Sequence, residues 1–249
     1  MKIAIVGYGG MGKMIEAEAK KRNIAIQSII DPISKGATHT AINSESLRGA
    51  DVAIEFTHPS AVLANIDAYC RLKVNAVVGT TGWQENIKEV EKKVKDAGIA
   101  FLSATNFSVG VHAYLRLVES AAKLFDRLGE YDVWASELHH HNKADSPSGT
   151  AKTMSDIILR NVKRKKKAVY DRLNRKIEAD EFHFSSLRGG EVNFEHTLGF
   201  DSAPDCITLR HAARNREGYA AGAIQAAVWL LSQKKGYYTQ EQYVKSVLG

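Results

Sequence analysis

The sequence predicts an α/β fold in two parts: a parallel-sheet domain, and a smaller α+β domain with a mixed sheet. Three observations carry this. Strand-like and helix-like segments alternate over residues 2–103, a glycine-rich turn joins the first strand to the first helix, and three strand-like runs follow one another over residues 181–212 with no helix between them. Strands separated by helices form βαβ units and hence a parallel sheet, whereas consecutive strands joined by turns give an antiparallel or mixed one.

In order, residues 2–6 are a short apolar run ending in glycine, read as the first strand, and 12–21 are a helix. Residues 24–30 are the second strand, and 51–56 the third, after the turn at Arg48-Gly49. A helix at 60–72, a strand at 74–78, a charged amphipathic helix at 84–97 and a strand at 99–103 complete the alternation. The pattern then changes: one long helix at 109–125, a strand at 131–138, a polar loop at 139–148 and a helix at 150–160. Strands at 181–187, 191–200 and 206–212 are separated by glycine or proline turns, and helical patterns return at 220–232 and 240–248. Residues 1–106 with 217–249 are therefore expected to form one domain, and 107–216 the other.

With 249 residues, 44% of them hydrophobic and 25% charged, the chain has the composition of a globular protein with one large core or two modest ones. No apolar run approaches the roughly 20 residues of a spanning helix, so no membrane partner is expected. The N-terminus runs straight into the glycine loop and is read as a strand, not a leader. Cys70 and Cys206 form neither a metal motif nor a disulfide framework, which fits a reduced, cytoplasmic setting. The net charge of +6 raises nucleic acid as a partner. The one dense cluster, Lys163-Arg164-Lys165-Lys166-Lys167, has no interleaved aromatics and reads instead as a solvated helix end or loop, so no nucleic acid is expected. A basic balance also suits anionic small molecules.

Gly7-Tyr8-Gly9-Gly10-Met11-Gly12 matches G-x-G-x-x-G, and it follows a predicted strand and opens a predicted helix, the context that gives the motif meaning. The first glycine permits the tight turn, the second lets backbone approach a pyrophosphate, and the third lets helix and strand pack closely. Asp31 ends the second strand, 19 positions after Gly12, where a carboxylate accepts from a ribose hydroxyl. The first domain is thus expected to be a Rossmann-type dinucleotide domain. Asp31 repels a 2′-phosphate and Pro32 follows it, so NADH is favoured, with NADPH possible because Lys13 and Lys35 offset the repulsion. Gly79-Thr80-Thr81-Gly82 and Ala104-Thr105-Asn106-Phe107 follow predicted strand ends and suit a nicotinamide ribose and amide, with Phe107 against the ring. Taken alone, either loop is better explained as turn chemistry.

Glu137-Leu138-His139-His140-His141-Asn142-Lys143 gathers three of the nine histidines beside a lysine. A metal is not expected, because the spacing is wrong for a helix and no Cys or carboxylate cluster supplies further ligands. Acid–base chemistry is the functional alternative to a plain polar loop. Asp145-Ser146-Pro147-Ser148-Gly149-Thr150 then leads into a helix whose bare N–H groups, with the Thr150 hydroxyl, make a carboxylate site.

The run from Glu137 to Ala151 resembles the signature of bacterial dihydrodipicolinate reductases. The likeness extends to the glycine loop, Phe56-Thr57, Gly79-Thr80-Thr81, Ala104 to Phe107, Glu195-His196-Thr197, Arg216 and Gly222-Ala223. The resemblance implies NAD(P)H-dependent reduction of 4-hydroxy-tetrahydrodipicolinate in lysine and diaminopimelate biosynthesis. It implies His139 as acid/base residue, Lys143 as proton donor, and His140, Gly149, Thr150 and Arg216 as substrate contacts. Gly7, Met11, Gly12, Asp31, Gly79, Thr81, Ala104 and Phe107 match cofactor positions, and a homotetramer built through the second domain's sheet is implied. The sequence departs from the pattern at Pro32, where many members carry arginine, at Ser146 for alanine, at His141-Asn142, and at Asn193-Phe194, where a glycine-containing turn is usual. Two other readings stay open on the residues alone. One is a related dehydrogenase of amino acids or sugars; the other is a non-catalytic dinucleotide or polyanion binder using the basic run.

Overall fold

A computed structural model describes residues 1–249, which fall into two compact units, Met1–Val109 with Glu217–Gly249, and Gly110–Arg216. In chain order the elements are β1 (Lys2–Val6), α1 (Gly10–Lys21), β2 (Ala25–Ile30), β3 (Val52–Glu55), α2 (Pro59–Leu72), β4 (Asn75–Val78), α3 (Ile87–Ala97) and β5 (Ala100–Ser103). They continue with α4 (Val109–Phe125), β6 (Asp132–His139), α5 (Gly149–Asn161), β7 (Lys167–Val169), β8 (Glu181–Arg188), β9 (Phe194–Asp201) and β10 (Cys206–Ala213), and close with α6 (Glu217–Leu231), β11 (Gly236–Thr239) and α7 (Gln240–Leu248).

In the first unit six parallel strands lie in the order β11-β5-β4-β3-β1-β2. Successive side chains on a strand face opposite ways, and both faces here are apolar. Ile3, Ile5, Val52, Ile54, Val77 and Leu102 join a core with α1, α6 and α7, while Ala4, Val6, Ala53, Ala76, Val78 and Phe101 join another with α2 and α3. A sheet covered on both sides reads as continuous apolar runs, as these strands do. The order reverses at β1, which lies between β2 and β3, and the crevice beyond the strand ends at such a point is where open α/β sheets take ligands.

The second unit has the mixed sheet β10-β9-β6-β8-β7, antiparallel at β10–β9 and β9–β6 and parallel at β6–β8 and β8–β7. One face packs under α4 and α5 through Val133, Ala135, Phe182, Phe184, Leu198 and Phe200. Trp134 and Leu187 alternate with those residues and are exposed on the other face, and Gly199 stays small because a Cβ there would meet the Trp134 ring at 2.3 Å.

The basic run is only in part the solvated feature the sequence suggested: Lys163, Lys166 and Lys167 are exposed, but Arg164 and Lys165 are bound into the fold. Lys165 is 2% exposed, and its ammonium donates to the carbonyls of Ala179 (3.0 Å) and Glu181 (2.8 Å) and pairs with Asp132 (2.6 Å). Arg164 donates to the carbonyls of Tyr131 and Phe125, and Lys167 opens β7. These cations tie the α5–β7 connection to β6 and β8.

Candidate active site

The glycine loop does what its spacing predicts. Gly7 has φ +86°, and a Cβ on it would meet the Phe56 carbonyl oxygen at 2.1 Å; a Cβ on Gly12 would meet the Gly7 carbonyl oxygen at 2.1 Å. Any side chain at either position would force β1, α1 and β3 apart. Gly9 and Gly10 have open space instead. Gly9 is the N-cap of α1 and no side chain satisfies the helix start, so its first N–H groups remain open to an anion. Beside them lies a cavity of about 310 Å³ lined by Gly9, Gly10, Met11, Phe56, Thr57, Pro59, Gly79, Thr80 and Thr81. A bare helix start opening onto a cleft at the end of a parallel sheet fits a dinucleotide.

Asp31 is committed to backbone on both oxygens. Oδ2 accepts from Tyr8 N–H (2.7 Å) and Oδ1 from Ser34 N–H (2.8 Å) and Ile33 N–H (3.0 Å). Burial opposes ionisation, but these three donors outweigh it and hold the carboxyl below its ordinary range. The Tyr8 hydroxyl donates to Glu16, and its ring lies over Gly36.

The second predicted loop is placed differently from the first. Thr105 and Asn106 donate their N–H groups to Gln240 Oε1, both at 2.9 Å. Phe107 is 1% exposed, set edge-on to Phe56 at 5.7 Å and against Gly222. Ala104, Thr105, Asn106 and Phe107 do not line the cavity, whereas Phe56, Thr57 and Pro59 do. Phe107 thus backs the aromatic that faces the cleft.

In the second unit, strand alternation builds a polar cluster. Val133, Ala135, Glu137 and His139 share the inward face of β6; Phe182, Phe184, Ser186 and Arg188 share that of β8; Phe194, His196, Leu198 and Phe200 share that of β9. Pairing sets Glu137 opposite His196 and Ser186, and His139 opposite Phe194 and Arg188. The apolar half of each strand packs under the helices, and the other half gathers hydrogen-bonding groups. Glu137 Oε1 accepts from Ser148 N–H (3.0 Å), Ser186 Oγ (2.9 Å) and Arg188 Nη2 (2.9 Å). Its Oε2 lies 3.3 Å from His196 Nε2 and 3.6 Å from His139 Nδ1. Burial works against the Glu137 charge, but His196, Ser148, Arg188 and Ser186 outweigh it and hold the carboxyl well below the usual carboxylate range.

His139 is the last residue of β6, not the first of a loop, and is 5% exposed. Burial pushes its pKa down to about 4 despite the Glu137 charge, so the imidazole is neutral at neutral pH. Lys143 is partly exposed and pairs with Asp145 at 2.5 Å, which lowers the Asp145 pKa. Ser148 is the N-cap of α5, its hydroxyl accepting from Ala151 N–H (3.1 Å) and lying 3.3 Å from His196 Nε2. The N–H groups of Gly149 and Thr150 belong to the open first turn. His140 directly follows β6, and Arg216 is exposed, with no hydrogen bond or ion pair to the cluster.

No Cys or carboxylate cluster was expected beside the histidines, and the fold brings a single carboxylate there: one ligand atom each from Glu137, His139 and His196 lie within 4.8 Å of one another. Arg188 already supplies the positive charge that the carboxylate needs. Glu137, Ser186, Arg188 and His196 received no role from the sequence. Ser186 and Arg188 carried no signal beyond a polar residue at the strand period, where an apolar one continues the core, whereas Glu137 and His196 also lay in the stretches that resemble the family.

The sequence matches two family profiles end to end: residues 1–107 match "Dihydrodipicolinate reductase, N-terminus" and residues 110–244 match "Dihydrodipicolinate reductase, C-terminus". The chain belongs to the dihydrodipicolinate reductase family. As a member it is an oxidoreductase with a nicotinamide dinucleotide as reductant. A 4-hydroxy-tetrahydrodipicolinate reductase of Staphylococcus haemolyticus is 34% identical over 244 residues, covering 96% of this chain and 98% of that one. One from Staphylococcus aureus strain Newman is 34% identical over 247 residues with the same coverage. A dipicolinate-bound dihydrodipicolinate reductase from Paenisporosarcina sp. TG-14 shares the fold, with a TM-score of 0.75 at 21% identity over 96% of this chain and 97% of that one. An amine dehydrogenase from Mycobacterium smegmatis is more distant in fold, with a TM-score of 0.60 at 10% identity over 95% and 94% of the two chains.

Proposed function

We propose that this dihydrodipicolinate reductase family member reduces 4-hydroxy-tetrahydrodipicolinate to tetrahydrodipicolinate in lysine and diaminopimelate biosynthesis, with NADH preferred over NADPH. The observation that carries the reading is Glu137. One buried carboxylate oxygen grips both Ser148 N–H, at the start of the α5 anion cradle, and Arg188, and so fixes the His139–Lys143 segment and the cradle to one strand end. In the reaction a hydride and a proton are added and water leaves the ring. The bound dinucleotide supplies the hydride at C4 of its nicotinamide.

The residues divide the remaining work. The Gly149 and Thr150 N–H groups and the Thr150 hydroxyl hold a substrate carboxylate. Lys143, an ammonium held by Asp145, offers positive charge and the proton. His139, neutral and buried, orients the substrate by hydrogen bonding and takes up a proton only transiently. His140 and Arg216 complete the contacts to the second carboxylate. In the first unit, the start of α1 and the Gly79-Thr80-Thr81 turn hold the dinucleotide, and Asp31 meets the adenosine ribose. An ionised Asp31 followed by Pro32 repels a 2′-phosphate, which sets the cofactor preference. The open sheet face with Trp134 and Leu187 exposed is the surface through which copies assemble into a homotetramer. The setting is cytoplasmic, with both cysteines free.

Coupled turnover with freshly made substrate tests the whole reading. Rapid loss of reduced-cofactor absorbance, faster with NADH, is expected. Faster loss with NADPH overturns the Asp31-Pro32 argument alone, and no loss with either, with cofactor bound, overturns the substrate.

A further inference from the structure

Two buried polar atoms at the end of β6, Glu137 Oε2 and His139 Nδ1, have no hydrogen-bond partner, and they lie 3.6 Å apart. His196 Nε2 approaches the same oxygen at 3.3 Å. Sheet register brings them together: His196 on β9 stands opposite Glu137, and His139 follows two positions along β6 on the same face. The other carboxylate oxygen, Oε1, accepts from Ser148 N–H, the Ser186 hydroxyl and Arg188, so the orientation of Glu137 is fixed. The His139 ring is held too. It stacks on Phe194 (6.1 Å, 29° between planes) and lies edge-on to His196 (5.3 Å, 83°).

Within that frame the open choice is where each imidazole keeps its proton. A neutral imidazole has one N–H and one bare nitrogen, and a carboxylate can only accept. A bare nitrogen facing Oε2 would set a lone pair against a negative charge in a buried site, where electrostatic effects are strongest. A separation of 3.6 Å is too long for a hydrogen bond, but charge and dipole still act across it. His139 is neutral, since burial pushes its pKa down to about 4. Its one proton therefore belongs on Nδ1, facing Glu137, and Nε2 is left bare. For His196 the same reasoning puts a proton on Nε2, and its buried Nδ1 has no acceptor to donate to.

We propose that Glu137 is a positioning residue that fixes His139 as the Nδ1–H tautomer, so that Nε2 meets the substrate as a hydrogen-bond acceptor. The inference rests on the reading of His139 as a substrate contact. A bare Nε2 pairs with a hydroxyl or an ammonium and repels a carboxylate. The tautomer thus sorts the substrate's groups, its hydroxyl to His139 and its carboxylates to the α5 cradle and the cations. A glutamine at position 137 inverts the arrangement. Its carbonyl oxygen stays where three donors converge, which turns the amide N–H₂ toward His139. Nδ1 then has to accept, and the proton moves to Nε2.

The test is magic-angle-spinning NMR at pH 7.5 on protein labelled with ¹³C and ¹⁵N in histidine. Protonated and bare ring nitrogens differ widely in shift, and the carbon each is bonded to tells Nδ1 from Nε2. Signals are assigned by their loss in His139→Gln and His196→Gln. Wild-type protein is expected to show His139 protonated on Nδ1 and His196 on Nε2, and Glu137→Gln is expected to show His139 protonated on Nε2. In the same variant kcat is expected to fall about 10²-fold or more with KM within about threefold, because the cradle keeps its acceptor. A wild-type His139 protonated on Nε2 overturns the proposal, and this measurement needs no variant to fold. An unchanged His139 tautomer in Glu137→Gln also overturns it, as does a reversed tautomer with unchanged kcat. The expected tautomers in a wild-type protein that does not turn over the substrate overturn the substrate reading instead.

Discussion

Replacing Glu137 by glutamine removes one charge from the centre of the second unit while leaving the volume unchanged. Glutamine keeps a carbonyl oxygen, so Ser148 N–H and Ser186 Oγ retain an acceptor, but the bond from Arg188 now joins a charged donor to a neutral acceptor, a loss of about 1 kcal/mol. The larger effect is on Arg188 itself. Removing one partner of a fully buried ion pair costs about 3–5 kcal/mol, and the Arg188 side chain is 19% exposed while that of Glu137 is 0%. Partial exposure lets water compensate part of the guanidinium charge, which brings the total to about 3 kcal/mol of lost stability. Urea unfolding at pH 7.5, followed by far-UV circular dichroism of the apo protein, reads this directly. The reasoning also predicts that Glu137→Gln combined with Arg188→Met is less destabilised than the sum of the two single changes, because no charge is then stranded. A single-variant loss below about 0.5 kcal/mol, or strict additivity, would refute the assignment of Glu137 as the anchor of this cluster.

The remaining expectations follow from the same geometry. Lys143→Ala should lower turnover by roughly 10²–10⁴-fold with the fold intact by circular dichroism, as expected when positioned acid–base assistance is lost; unchanged turnover removes Lys143 from the mechanism. Stability should fall as pH drops from about 6.5 to about 4. The folded His139 pKa is depressed to about 4, so in that window the unfolded chain binds a proton that the folded one refuses, worth about 3 kcal/mol in all. That stability is fully present above the unfolded pKa, His211 is shifted the same way by burial, and His139→Gln should flatten the urea midpoint between pH 7.5 and 4.5. Lys165→Met strands the Ala179 and Glu181 carbonyls and should destabilise by about 3 kcal/mol, whereas Lys166→Ala, at an exposed neighbour, should stay within about 0.5 kcal/mol by the same urea assay.

Much of the first unit was readable because local chemistry and global topology agree there. The apolar runs, the glycine spacing and Asp31 each constrain the same βαβ turn. Elements whose stability is borrowed from neighbours were not readable. Residues 236–239 carry a glycine and two tyrosines and become β11 only by pairing with β5, and residues 167–169 are a lysine and two small apolar residues that pair with β8. The candidate site divides the same way. His139 to Thr150 are contiguous and announce themselves, but Glu137, Ser186, Arg188 and His196 converge from three strands, and only the register of the sheet makes them neighbours. The basic run misled because a lysine's place in sequence says nothing about the carbonyls it meets: Lys165 looked like its flanking residues and is the buried one.

The bonding of Asp31 constrains how this lineage can change. Its carboxylate fastens the glycine loop through Tyr8 and shapes its own turn through Ile33 and Ser34. An amide or hydroxyl placed there to welcome a phosphorylated ribose would also loosen the clasp that keeps Gly9 and Gly10 open to the pyrophosphate. Under the proposed function, cofactor preference and loop order are inherited together at this residue. A descendant that moves toward NADPH has an easier path by keeping the aspartate and recruiting cations at its margins, from positions such as Lys13 and Lys35, than by exchanging the acid itself.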